Sequence, residues 1–510
     1  MRQRDGVLAN TDFVKLWAGE TVSLIGTQVT LFTLPLVAIL TLNASVFEVG
    51  VLNALRFVPV MLLSLFAGVM LDRRRRRPVL IACALGNAFL IGLVPLSSAT
   101  GLLSIGLLYA VTPLVGTLNM IFEVGSLSYV PNLVEPRHLS ESNSKLQASD
   151  ALAGIVGPGF AGLLIGLITA PITLSVDAVS YLFSAFGLIA IKKQEPEPEA
   201  PADRPSVRAS IAEGLRTVYG SPLLRSLLAQ STAINLSFGA YITLFVVYAV
   251  RYLHLSPAKL GIVIAASAVG ALVGALLATR VGNAIGLGRT MAVTMIGVSA
   301  SPLLMLIPRG SGVVTVLILV AAQFIYGCSI AMFNVKAITL RQTVTPRRLL
   351  GRMNATYRMV LFGCAPFGAI GGGLLGNAVG LRTAFVVSVI TMVSPALWIF
   401  FGPVFRLTEM PPGPPSDRSD AAADETGTDE MGTDETGTGT VEVASAASPS
   451  GPGGAEATAT VLAASAAEPA GGPPAEQVAA GASDSGRHAD GAAGVGVGSR
   501  HGDSQRDGGA

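Results

Sequence analysis

Three ionisable side chains stand where the surrounding sequence is almost wholly apolar: Glu20, Arg56 and Asp177. A charge in hydrocarbon is costly unless it is paired, hydrated or neutralised by a proton, so each of them is a candidate functional group. A carboxyl that alternates between its protonated and ionised forms is the simplest device for coupling another movement to a proton. Glu20 also has two static alternatives. It could reach a membrane surface, favoured by the start of its helix, or pair permanently with Arg56. Asp177 could accept hydrogen bonds from Ser180 or Tyr181. Glu48, Glu123 and Asp150 fall at the ends of apolar runs, where solvation or pairing between helices is expected. No cluster of acids, His or Cys has catalytic or metal-ligand spacing, so no catalytic residue, metal or cofactor is expected. No Gly-x-x-x-x-Gly-Lys-Ser/Thr loop is present for a nucleotide.

Composition says what must position these groups. Of 510 residues, 51% are hydrophobic and 13% are charged, against about 25% charged in an average soluble domain. The net charge of +2 gives no field for nucleic acid. The three cysteines, Cys83, Cys328 and Cys364, all lie in apolar runs and predict small buried hydrophobes. A membrane-crossing helix needs about 20 mostly apolar residues. Twelve such runs are legible: 16–40, 48–71, 78–98, 102–123, 147–168, 172–191, 223–250, 258–279, 290–308, 313–335, 356–378 and 382–404. The first is too long for a cleavable signal peptide, and none is expected. Basic residues alternate between the connections. Those on the N-terminal side hold 24 Lys and Arg, five of them in the run Arg73 to Arg77, whereas the other side holds Arg251, Lys259, Arg309 and Arg382. The positive-inside rule then predicts twelve spans with both termini cytoplasmic.

The expected fold class is therefore all-α integral membrane, with domains at 1–191 (six helices), 192–222 (cytoplasmic linker), 223–405 (six helices) and 406–510 (tail). The linker opens with the Pro-rich, charged KKQEPEPEAPADRPS. It continues as VRASIAEGLRTVYG, an amphipathic segment suited to a membrane surface. The tail is Gly, Ala, Pro, Ser, Thr, Asp and Glu and predicts disorder. The two six-helix parts look like repeats. VEPRHLSESNSKLQ at 134–147 returns in outline as VTPRRLLGRMNATYR at 344–358, and Gly157-Pro158 as Ala365-Pro366. Such parallel repeats place a transport site between the halves near the bilayer midplane. Polar stripes at helical spacing mark its candidate walls: Glu20, Ser23, Thr27 and Thr30 in the first run, and Tyr109, Thr112, Gly116, Asn119 and Glu123 in the fourth. The seventh run offers Ser231, Asn235, Phe238 and Tyr248, and the tenth Gln323, Tyr326 and Asn334. Interhelical hydrogen bonds that merely hold the bundle are the alternative.

Over residues 10–404 the chain resembles the major facilitator superfamily (MFS). Gly68-x-x-x-Asp72-Arg73-x-x-Arg76-Arg77 resembles the superfamily's signature loop between helices 2 and 3. Gly157-Pro158-Gly159-Phe160-Ala161-Gly162 resembles the fifth-helix motif of drug:proton antiporters. TPRRLLGRMNATYRMVLFGCAPFGAIGGGLLG is similar to the macrolide-efflux and enterobactin-exporter-like branch. Departures are Arg75 and Ala153, where glycine is usual, and a second-half loop that keeps only Gly286, Gly288 and Arg289. The resemblance implies the MFS fold, a cavity lined by helices 1, 4, 7 and 10, and a gate in which Asp72 pairs across the halves, here with Arg352 or Arg358. It implies packing or bending at Gly157, Pro158 and Gly162.

The function expected is a proton-coupled secondary active transporter. It would export an amphipathic drug, antibiotic or secondary metabolite, such as a siderophore or macrolide, across a bacterial inner membrane. A facilitator or importer of the same fold is the alternative, as is a receptor or scaffold that transports nothing. Small molecule, protons and lipid bilayer are the expected partners, with no nucleic acid, and a monomer is the expected state.

Overall fold

The computed structural model describes residues 6–72, 74–195, 207–346, 349–407 and 411. Side chains at 64–69, 72, 207–211 and 406 are outside that description, as are Arg73 and nearly all of the tail. Twelve helices among the described residues are long and apolar enough to cross a membrane. The first six are α1 (Thr11–Leu36), α2 (Val46–Asp72), α3 (Arg76–Ala99), α4 (Ile105–Leu133), α5 (Leu139–Leu167) and α6 (Ala170–Ile189). A short helix, α7 (Val207–Gly220), precedes α8 (Pro222–Arg251), α9 (Pro257–Ile285), α10 (Leu287–Leu304), α11 (Val313–Val344) and α12 (Leu350–Val379). The last crossing is made by α13 (Leu381–Thr391) and α14 (Ser394–Phe400). It is interrupted just before Pro395, which has no N–H to continue the ladder. In hydrocarbon each backbone polar group must be satisfied within its own helix, which is why apolar runs of this length become helices.

Several helices outlast their apolar runs at one face. α4 continues ten residues past Glu123, about 15 Å at helical rise. An even number of crossings puts the start of α1 and the end of α14 on this same side, here called the terminal face. There the first half is fastened by caps. Asn10 accepts from the N–H groups of Asp12 and Phe13 and donates to the Leu133 carbonyl at 2.7 Å, joining the start of α1 to the end of α4. Lys15 donates to the Ala190 carbonyl at 2.9 Å, beyond the end of α6.

The two halves touch chiefly along two pseudo-equivalent pairs, α5 with α9 and α2 with α12. At the far face both contacts are made through glycine. A side chain at Gly50 in α2 would meet the Ala369 carbonyl oxygen at 2.7 Å, and one at Gly261 in α9 would press into the Pro158 carbonyl. A side chain at Gly162 in α5 would press into the Pro257 carbonyl, and one at Gly373 in α12 would meet Phe47 Cα at 3.0 Å. Small residues allow backbones this close, and dispersion is the main attraction available between helices in lipid. Gly50 and Gly261 occupy the same register. Each lies five residues after a capping serine, Ser45 or Ser256, whose Oγ accepts a backbone N–H in its first turn. Ser45 and Glu48 form a reciprocal capping box, with Ser45 N donating to Glu48 Oε2 at 2.6 Å. Glu48 is thereby an end cap.

The linker is tied to both halves. Glu195 accepts from the N–H groups of Arg76 and Arg77 at 2.8 and 3.1 Å, capping α3. α7 does not simply lie on the surface. Glu213 pairs with Arg352 at the start of α12, and Gly214 packs on the Arg352 carbonyl and Thr356.

Candidate functional site

α1, α2 and α4 carry polar groups on their inward faces, and together with α3, α5 and α6 they enclose a cavity of about 250 Å3. This is slightly below the range of small-molecule sites, which run from about 300 Å3. Its far-face roof is apolar, from Leu34, Leu52, Ile91 and Leu174. Its walls carry Ser23, Thr27, Gln28, Asn53, Arg56 and Asn119. Toward the terminal face it reaches Glu20, Glu123, Gln147 and Asp150. All its lining residues belong to the first half.

One wall is a hydrogen-bonded row. Asn87 Nδ2 donates to Asn119 Oδ1 at 2.7 Å, and Tyr181 Oη donates to the same oxygen at 2.8 Å. With the tyrosine proton so engaged, the Thr27 hydroxyl donates to Tyr181 Oη at 2.9 Å. The row ties α1, α3, α4 and α6 together and fixes Thr27, Asn119 and Tyr181 on the cavity wall. Asn53 donates to Thr243 Oγ1 of α8 at 3.1 Å, a tie from the cavity wall to the second half.

The charged groups separate into zones. Glu20 accepts from Ser126 Oγ of α4 at 2.8 Å. It interacts electrostatically with Asp150, and Glu123 interacts with both and with Arg358 of α12. Glu20 is not the partner of Arg56, which makes no ion pair or hydrogen bond among the described residues and lies 5.4 Å from the centroid of the Phe57 ring. Asp177 is elsewhere. It is fully buried between α6 and α1, accepting from Thr30 Oγ1 and, at 3.0 Å, from Ser180 Oγ. Gly26 leaves the room it needs. It does not border the cavity.

The second-half stripe borders no part of this cavity, because aromatic rings fill the corresponding interior. Phe238 stacks on Tyr326 with centroids 5.9 Å apart, and Tyr241 stacks on Phe245 at 5.7 Å. Gln323 accepts from Tyr241 Oη at 3.4 Å within that packing, and Asn235 returns its amide to the Ser231 carbonyl. Tyr109 also lies outside the lining, donating to the Glu48 carbonyl at 3.2 Å.

At the signature loop, Arg77 closes the end of α6 by donating to the Leu188 and Ile189 carbonyls at 2.9 and 2.8 Å. That contact stays within the first half. Arg76 leads α3, its N–H taken by Glu195. Gly68 and Asp72 belong to the last turns of α2. Arg73 and the Asp72 side chain lie outside the described residues. Arg75 has φ −60° and ψ 126°, extended backbone that requires no glycine. The second-half loop does turn left-handed, at Gly286 with φ 84°. Gly157 packs against Gln28 of α1, Gly162 against α9, and Pro158 is buried inside α5.

Sequence reasoning missed Gln28, Asn53 and Gln147 as lining residues. Gln28 directly follows Thr27 and Asn53 is one helical turn before Arg56, so an extension of each polar face would have found them. It also treated Glu123 and Asp150 as helix-end residues, because the apolar runs stop there while the helices continue.

A profile of the transmembrane secretion effector family matches residues 6–419. The multidrug efflux pump Tap of Mycolicibacterium fortuitum is 26% identical over 407 residues, covering 77% of this chain and 95% of that protein. The enterobactin exporter EntS of Citrobacter koseri is 23% identical over 390 residues, covering 74% and 89%. Among solved structures, the nucleoside transporter NupG aligns with a TM-score of 0.64 at 13% identity, covering 78% of this chain and 99% of that one. A bacterial homologue of the iron transporter ferroportin in an inward-facing state aligns at 0.63 with 17% identity and the same coverage. These two share the fold.

Proposed function

Because the chain belongs to the transmembrane secretion effector family of MFS transporters, we propose that it exports an amphipathic small molecule from the cytoplasm through the first-half cavity in exchange for protons. The observation that carries this is the cavity itself, apolar in its roof, polar in its walls and acidic toward the terminal face. An amphiphile can desolvate its body against Leu52, Ile91 and Leu174 while its polar groups meet Asn119, Gln28 and the acids. The excess of Lys and Arg on the terminal-face connections supports a cytoplasmic placement of that face and of both termini in a cell membrane. With the far-face glycine contacts closed, substrate then enters from the cytoplasm. Release requires α5 and α2 to part from α9 and α12.

Glu20 is the carboxyl best placed for coupling. It borders the cavity, it has one hydrogen bond among the described residues, from Ser126, and it interacts electrostatically with Asp150 and Glu123. Asp177 is enclosed by two hydroxyl donors, which suits a fastening of α1 to α6. Asp72, Arg73 and Gly68 complete the loop that gates the cytoplasmic side. The chain acts as a monomer, with the bilayer as its other partner.

The test is efflux of a fluorescent amphipathic dye from energised cells of an efflux-deficient bacterium. Cells expressing the full chain are expected to empty the dye several-fold faster than cells with empty vector, and a protonophore abolishes the difference. Equal rates with and without the chain contradict export. An expressed chain that speeds dye entry instead supports a facilitator or importer.

A further inference from the structure

Arg56 lies over the Phe57 ring but makes no hydrogen bond or ion pair among the described residues. It lies ten residues into α2 from Val46, about 15 Å below the far end of the helix, and it borders the cavity. Its backbone is held, because Gly116 of α4 packs on its carbonyl, where a side chain would meet the oxygen at 3.2 Å. The guanidinium carries five N–H donors, and none of them meets a protein acceptor among the described residues. The acids of the cavity do not compensate it. Glu20 is engaged by Ser126 and interacts with Asp150, whereas Glu123 interacts with Arg358, Asp150 and Glu20. Among the described residues, no carboxylate pairs with Arg56. Asp177 is turned into its own hydroxyl pair. The cavity therefore has an acidic zone toward the terminal face and one uncompensated cation deeper within.

An uncompensated cation in a poorly polar site strongly favours a negative group, because the interaction is far less screened than in water. The planar fork of arginine matches two oxygens at once, as in a carboxylate. Resting on the export function proposed above, we propose that Arg56 binds an anionic oxygen group of the transported molecule, a carboxylate or an ionised phenol or enol. The rest of the molecule extends toward Glu20 and Asp150. The favoured cargo is therefore an amphiphile that is anionic, or zwitterionic with its amine directed at the acidic zone.

The test uses purified full-length protein in phosphatidylcholine nanodiscs and two xanthene dyes, anionic fluorescein and cationic rhodamine 6G, titrated by anisotropy. Wild type is expected to bind fluorescein. Arg56→Gln raises its Kd about ten- to a hundredfold, the worth of hydrogen bonds to a charged group, whereas Arg56→Lys, which keeps the charge but not the fork, raises it measurably but less. Rhodamine 6G binds Arg56→Gln at least as tightly as wild type, since a repulsive charge is gone. Three results overturn the proposal while leaving export standing. They are an unchanged fluorescein Kd in Arg56→Gln, equal weakening of both dyes, or a wild type that binds only rhodamine 6G. A wild type that binds neither dye overturns both this proposal and the small-molecule function. Equal melting temperatures for the three proteins show that Arg56→Gln folds, and Arg56→Lys carries the test if it does not.

Discussion

Gly261→Val is expected to slow transport about tenfold or more without loss of the folded protein from the membrane. A side chain at this position in α9 presses into the Pro158 carbonyl and sits 3.2 Å from Gly159 Cα, both backbone atoms of α5. Backbone cannot turn aside as a long side chain can, so the helices must separate. Overpacking of this kind costs about 1–3 kcal/mol. The cost falls on the state in which the far face is closed, so it shifts the population toward far-face opening by roughly 5- to 150-fold. Leu52 reports the shift. It is 1% exposed and forms part of the cavity roof. A cysteine there, in a chain lacking Cys83, Cys328 and Cys364, is expected to react with an impermeant maleimide from the far side only when Gly261→Val is present. Full transport and no labelling in the valine variant would remove the glycine contact from the transport cycle.

Glu20→Gln should abolish the dependence of accumulation on a pH gradient. Glutamine keeps the size of the side chain and an oxygen that accepts from Ser126 Oγ, so the α1–α4 contact survives. What is lost is the exchangeable proton. For a neutral solute exchanged against one proton, each pH unit of gradient supports about a tenfold concentration ratio. The glutamine variant is expected to equilibrate solute across the membrane at a ratio of one, whatever the gradient. The comparison is made in everted vesicles at fixed ionic strength, with the lumen one pH unit more acidic than the bath. Retention of the tenfold ratio would transfer the coupling role to Asp150 or Glu123, which share its end of the cavity.

The twelve spans were legible because length, apolarity and the alternation of basic residues all derive from the bilayer and depend little on tertiary detail. The first-half stripes were legible for the same reason. Polar groups at helical spacing in an apolar helix must meet protein or water, and Glu20, Ser23, Thr27 and Thr30 all occur in the lining. Periodicity could not distinguish a hollow interior from a filled one. Tyr326 and Gln323 have the same spacing, yet aromatic volume from Phe238, Tyr241 and Phe245 occupies the space beside them. Pairings between distant segments were illegible too. Glu20 takes Ser126 and Glu213 takes Arg352, choices made by helix packing. Arg75 is the converse. The resemblance implied a loop that usually carries glycine at this position, but the backbone there is extended and accepts any residue.

The central claim is that the first-half cavity loads from the cytoplasm and empties outward. The most direct measurement is accumulation of one amphipathic dye in two vesicle preparations from the same cells, everted and right-side-out, each with an acidic lumen. Export by proton exchange predicts accumulation in the everted vesicles above the empty-vector level, lost in Glu20→Gln. Accumulation confined to right-side-out vesicles, or equal in vesicles with and without the chain, would contradict it.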